Sequence, residues 1–322
     1  MSASPFSDLR HVLSQLPSID TCAVEKNILE SKTTKACTMP DESDFSTLKV
    51  WLSGWQGRAL PTVDESHICI LASSYEGYEK DTVKVFISAA AKGNAPVNTL
   101  CIDRGVGLRV LELAPELPYD VSEPWQEAEC MAAVAFGMEA AAAGGDLLGL
   151  SDFAVGNMAP VLAILAVLDA EPDSVLKNYE VLSKDMTFSG GPPDEFAKAL
   201  SWIKSMLATV GAGHSPLKVM QLLGGREVAA SVGALIAARS RRLPVIVDGW
   251  AGIAAIAIIE AEHPGSADHV KIASCNNGLA AFAAKKLKKI PLIAPYVSVG
   301  AGCGVAIAGA ILKAACDVHV EA

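Results

Sequence analysis

The chain has 322 residues, a formal charge of −10, and a composition that is 51% hydrophobic, 19% charged and only 6% aromatic. That length and apolar share predict one large globular domain, or two unequal ones, with a core of Ala, Val, Leu and Ile rather than rings. The acidic balance excludes a nucleic-acid binder, because the basic runs "AARSRR" and "AAKKLKK" both fall on helical patterns and read as solvated faces.

The cysteines (22, 37, 69, 101, 130, 275, 303 and 316) are scattered, without CxxC or Cys/His spacing, and predict reduced, mostly buried thiols and no metal. "MSASPFSDLRHVLSQL" lacks the apolar run of a signal peptide, and no stretch of about 20 apolar residues is free of Gly, Pro and charge. A cytoplasmic protein that touches neither membrane nor nucleic acid is the expectation.

Residues 1–60 carry the helical patterns "SDLRHVLSQL" and "DFSTLKVWLSGWQG" around a polar stretch. They predict a smaller helical domain, a cap joined by the C-terminal helix, ahead of a large α/β nucleotide- and base-binding domain over 61–322. From "HICILAS" (67–73) the texture becomes short apolar runs alternating with longer helical segments. The runs are "VNTLCID" (97–103), "DLLGLSDFAVGN" (146–157), "LPVIVDG" (243–249), "DHVKIAS" (268–274) and "PLIAPYVSVG" (291–300). Apolar, β-branched runs with helices between them predict a three-layer α/β/α fold with a mostly parallel, open, Rossmann-like sheet. Ligands in such folds gather at the carboxyl ends of the strands, where each run breaks into Gly, Asp, Asn or Ser.

Those breaks hold the candidate chemistry. "SDFAVGNMAP" sets Asp152 and Asn157 around Gly156 at a helix start, which can present N–H groups to an anion or make a plain turn. "FSGGPPDEFAKAL" offers Gly190 and Gly191 as a phosphate-approach loop with Lys198 as a point charge, or else an ordinary helix start with favourable acids. "LLGGREVAASVGALIAA" is a Gly-Gly turn into a helix whose small residues let it lie close to a strand. Asp248-Gly249 ends one strand, and Ser274, Cys275 and Asn276 end the next. No histidine lies in a strand-end loop to activate a thiol, and GxGxxG, GxxxxGK[ST] and GxSxG are all absent.

In order, these loops resemble one family over residues 68–316: the nicotinate-nucleotide:dimethylbenzimidazole phosphoribosyltransferases of cobalamin lower-loop assembly. "LLGGREVAASVGALIAARSRRLPVIVDGW" is similar to that family's Gly-Gly-x-Glu-Ile-Ala helix, arginine-bearing turn, Pro-Val strand and Asp-Gly-Phe. "DLLGLSDFAVGN" looks like its Gly-Glu-Met-Gly-Ile-Gly-Asn loop, and "SVGAGCGVAIAG" looks like its Leu-Gly-Glu-Gly-Thr-Gly-Ala-Ala turn. The resemblance implies a homodimer without cofactor or metal. It also implies that 5-phosphoribose passes from nicotinate mononucleotide to an aromatic base, giving an α-ribazole phosphate.

Carried over by position, the resemblance puts Gly156, Asn157, Gly190, Gly191, Lys198, Asp248, Gly249 and Ser274 in the substrate site. Glu76 and Gly77 fall at the Glu-Gly of the base-pocket loop, and Gly300, Gly302 and Cys303 in the glycine frame. The family's catalytic glutamate falls on Ala301, its threonine on Cys303 and an arginine on Ser298; its Asp-His-Gly is missing from "LASSYEG". A second family carboxylate survives, shortened, as Asp152, which makes Asp152 the candidate base. Three readings remain open on this scaffold: such a transferase, a catalytically impaired homologue that binds a nucleotide or base as a sensor or partner subunit, and hydrolysis of a ribosyl bond.

Overall fold

The structure, a computed structural model, describes residues 4–33, 44–184, 193–211, 213–275, 277–293 and 301–317. The chain opens with α1 (Pro5–Ser14), α2 (Thr21–Thr33) and α3 (Asp44–Gln56). Strand β1 (Ser66–Ser74) leads through α4 (Lys80–Ala91) and α5 (Pro96–Arg104) to β2 (Gly107–Glu112), and α6 (Glu127–Gly137) then leads to β3 (Leu147–Val155). Next come α7 (Met158–Leu168), α8 (Pro172–Lys184), α9 (Pro193–Val210), α10 (Pro216–Leu223) and α11 (Arg226–Ser240). The last described elements are β4 (Val245–Asp248), α12 (Trp250–Glu262), β5 (Val270–Ile272), α13 (Gly278–Lys286) and α14 (Cys303–Asp317).

The strands form one parallel sheet in the order β2-β1-β3-β4-β5. Alternation along each strand sends apolar side chains to both faces, so both must be covered by helices. Cys69, Leu71, Leu148, Leu150, Val245 and Val247 face the layer that includes α7, α11 and α12. Ile68, Ile70, Leu147 and Ile246 face the layer that includes α3, α5 and α14. The three-layer α/β architecture expected from the alternating runs is therefore present. From β1 the chain moves to one edge as β2 and then returns to the other side of β1 as β3. At such a reversal the connecting loops part over opposite faces, and a crevice opens at the carboxyl ends of the two strands.

Small residues draw the layers together. A Cβ on Gly149 would collide with Val305 of α14, so that helix lies directly on the sheet. Gly233 of α11 and Gly137 of α6 each meet the other helix's backbone, at Val134 and Ala230. The small face of "ASVGALIAA" thus serves a helix–helix approach, and α11 also lies against β1 and β3, as the sequence pattern suggested. The N-terminal helices pack on these same layers. Phe6, Leu9 and Leu13 of α1 are buried on the α6 side, and Leu48 and Leu52 of α3 on the α14 side.

Two expectations are corrected, and a third falls mostly outside the described residues. "VNTLCID" is helical: Pro96 opens α5, the Asn98 side chain accepts the Ala95 N–H at 3.0 Å, and Gly105 at φ 65° ends it. The strand is the following "GLRVLE", an edge strand with only Leu111 buried. "PLIAPYVSVG" contributes, among the described residues, a single bridge between Ser274 and Ile293, and 294–300 lie outside them. Finally, Arg239 of "AARSRR" is buried with its guanidinium 4.6 Å from the Trp55 ring centre, and it donates to Pro17 O at 2.9 Å. It is not part of a solvated face.

Candidate active site

At the β1/β3 reversal the strands end in polar residues, and register decides which face each side chain serves. Asp152 pairs with Leu71, so it points to the α11/α12 face; Ser151 pairs with Ile70 and Asp248, which point to the α14 face. The site therefore has two sides, each at the N-terminal ends of helices, where free N–H groups favour anions.

On the first side, Asp152 Oδ1 accepts the Ala251 N–H at 3.0 Å, in the first turn of α12, and Oδ2 accepts Asn157 Nδ2 at 2.7 Å. Asn157 stands at the N-cap of α7 yet makes no side-chain cap bond, its amide being turned to Asp152. Gly249 (φ 101°) passes so close to Asp152 that any Cβ would collide with Oδ1. Gly156 (φ 98°) is equally constrained, its missing Cβ being replaced by the ring of Tyr78. Burial, followed by the charge of Glu227, pushes the Asp152 carboxyl from 3.8 up to about 7, against the pull of its two donors. Asp152 nevertheless keeps part of its surface open to solvent.

Glu227, in the first turn of α11, is wholly buried. It accepts from the hydroxyl of Tyr75 at 2.7 Å and from the hydroxyl of Ser73, and the Tyr75 oxygen accepts the Gly225 N–H at 2.8 Å. Burial raises its carboxyl, while these hydroxyl donors hold it down. The Gly-Gly-x-Glu turn is thereby fastened to the carboxyl end of β1.

On the second side, Ser274 Oγ donates to Asp248 Oδ1 at 3.3 Å, and the Gly304 N–H also faces Asp248. A Cβ on Gly304 would lie 2.6 Å from Asp248 Oδ2, so the start of α14 fits only as glycine. Burial pushes Asp248 up to about 6. The Gly302 N–H donates to Ser151 Oγ at 3.0 Å, which ties the glycine turn to β3 one residue before Asp152. Ala301 is half-buried beside this turn, and Cys303 is sealed in the core with its thiol raised by burial.

The structure thus brings Asp152, Gly156, Asn157, Asp248, Gly249, Ser274, Gly302 and Cys303 to the carboxyl edge of the sheet. Glu76 and Gly77 lie exposed in the turn after β1, and buried Tyr75 takes the inner position. Gly190, Gly191, Gly300 and Asn276, together with the side chain of Lys198 on α9, lie outside the described residues. Sequence reasoning missed Ser73, Tyr75 and Glu227. The available signal was Glu227 itself, a lone acid in an otherwise small and apolar helix face. Among the described residues, no group of three or more His, Cys, Asp and Glu side chains is placed to hold a metal ion.

A carboxylate whose proton leaves near neutrality, fixed by two donors beside close-packed glycines at the strand ends, can take a proton from a bound substrate. Residues 31–322 match the family model described as "Phosphoribosyltransferase". The chain is 32% identical, over 99% of its length and 93% of the relative's, to nicotinate-nucleotide–dimethylbenzimidazole phosphoribosyltransferase of Agrobacterium fabrum. It is 35% identical to the protein of the same name from Sinorhizobium medicae, covering 99% of this chain and 96% of that one. The crystal structure of CobT from Thermus thermophilus superposes with a TM-score of 0.78 over 91% of this chain and 95% of that chain, at 21% identity. That likeness is one of fold.

Proposed function

The chain belongs to the phosphoribosyltransferase family, and on that premise we propose that it transfers 5-phosphoribose from nicotinate mononucleotide to a benzimidazole-like base, with Asp152 as the proton acceptor. The product is an α-ribazole phosphate, and the nicotinate leaves with the electron pair of the old glycosidic bond. As the unprotonated ring nitrogen of the acceptor bonds to the anomeric carbon, the proton on the acceptor's other ring nitrogen passes to Asp152. The observation that carries this reading is the Asp152 carboxylate: oriented by Asn157 and Ala251, and raised by burial to about 7, at the carboxyl end of β3. A base is most effective when its proton affinity is near the operating pH. Asp248, Ser274 and the glycine turn would hold the ribose end, and Lys198 with Gly190 and Gly191 the phosphate. We place the active form as a homodimer in the cytoplasm.

Ala301, standing where the resembling family carries its catalytic glutamate, favours a second reading: a homologue that binds nucleotide or base without turnover. One experiment separates the two. The protein is incubated with nicotinate mononucleotide and dimethylbenzimidazole, and the mixture is resolved by chromatography. Ribazole phosphate together with free nicotinate supports the transferase. Calorimetric binding without either product sinks it in favour of the binding homologue, and nicotinate release that needs no acceptor points to hydrolysis.

A further inference from the structure

Glu227 has no place in the reaction as written above, yet a wholly buried carboxylate with no ion-pair partner among the described residues is costly to keep. Its position follows from the sheet register. Leu71 pairs with Asp152 and Ser73 with Ala154, so Ser73, two residues beyond Leu71, lies on the same face as Asp152 and one residue pair away. Ser73 donates its hydroxyl to Glu227, and Tyr75 donates to the other oxygen at 2.7 Å. The Tyr75 oxygen already accepts the Gly225 N–H at 2.8 Å, so the Tyr75 proton is committed to Glu227. Gly225 itself has no room for a Cβ, which would collide with the Tyr75 hydroxyl. Each link fixes where the Glu227 carboxylate stands relative to Asp152.

We propose that Glu227 is a positioning residue whose negative charge, pinned by Ser73 and Tyr75 on the sheet face of Asp152, makes Asp152 a stronger base. The proposal rests on the reading of Asp152 as proton acceptor. Its support is electrostatic as well as geometric: after burial, the Glu227 charge is the largest contribution raising Asp152. The other groups facing this pair are Asp248 at the end of β4, Tyr119 beside Tyr75, and Arg226, which attracts Glu227 but donates to Leu117 O at 2.6 Å. Of these, Asp248 faces the opposite side of the sheet, towards α14. Two like charges in poor solvent titrate as a unit, each making the other hold its proton more tightly.

The test follows the Asp152 carboxyl directly, by carbon-13 NMR titration of aspartate-labelled protein with Asp152→Asn as the assignment control. Glu227→Gln is expected to lower the Asp152 midpoint by about one pH unit. The acid limb of kcat/KM for ribosyl transfer is expected to move down in parallel, with a weaker rate on the plateau. Should Glu227→Gln fail to fold, Tyr75→Phe, which removes one donor and loosens the charge, is expected to move the midpoint in the same direction by less. A midpoint that stays in place in the folded variant overturns the proposal, as does a rate that falls equally at every pH. The base reading fails separately: transfer that survives Asp152→Asn removes Asp152 from the reaction, whatever the titration shows.

Discussion

Gly249, at φ 101° and ψ 174°, packs directly against Asp152, and no other residue type fits between them. That backbone region is essentially reserved for glycine. Gly249→Ala therefore meets two penalties, a strained backbone and a collision that pushes the carboxylate off the Ala251 N–H. Loss of about 1–3 kcal/mol of stability is expected from the strain alone. Chemical denaturation measures it, and ribosyl transfer should fall by more than the stability loss explains.

Asp152→Asn keeps the size of the side chain and removes the proton acceptor. A fall in transfer rate of about 10²–10⁴ is expected, with far-ultraviolet circular dichroism unchanged. Binding of nicotinate mononucleotide, followed by calorimetry, should survive, because the loss is of proton transfer.

The same substitution should stabilise the fold at alkaline pH. Asp152 is raised from 3.8 to about 7 and Asp248 from 3.8 to about 6, so both hold protons more tightly folded than unfolded. Stability from such groups is present at low pH and falls as pH rises through the interval between the unfolded and folded values. Asp152→Asn is therefore expected to unfold at a higher temperature than the parent at pH 8, the gap closing towards pH 4. A gap of constant size at all pH values would contradict the raised carboxyl. The parent's transfer activity should show an acid limb near pH 7, where Asp152 begins to hold its proton.

The strands at the centre of the sheet were legible because they are apolar on both faces. "HICILAS", "LLGLS" and "PVIVD" must be strands covered twice, and their polar ends then locate the crevice. At the edge the reasoning failed for the same cause. "GLRVLE" has one face towards solvent and reads as mixed, while the more apolar "VNTLCID" draws the eye, although Pro96 before it and Gly105 after it are helix punctuation. Asp152 and Asp248 were legible from their positions at strand ends. Glu227 was not, because an acid in a first helical turn is ordinarily a solvated partner of the dipole, and only packing shows that Ser73 and Tyr75 enclose it.

Ala301 gives a complementary test of the site. The Gly302 N–H is tied to Ser151, the residue before Asp152, so a carboxylate introduced at 301 stands beside the end of β3 at the head of α14. Ala301→Glu placed in the Asp152→Asn protein is expected to restore part of the lost transfer, about tenfold or more. No recovery would mean that position 301 does not reach the proton-bearing nitrogen of the acceptor. In the parent background, where Asp152 already serves, the same change should alter the rate by less than about tenfold.

Asp152, Glu227 and Asp248 each sit at the head of a helix, and the ion pairs among the described residues all involve other acids. Where Asp152 and Asp248 are ionised, above about pH 7, the floor beneath the strand ends carries negative charge. On the proposed reading, a phosphorylated sugar approaching it would be sorted end from end: the phosphate repelled outward, and the anomeric carbon, which turns positive as its leaving group departs, drawn inward. The sheet itself would then set the direction in which the donor lies.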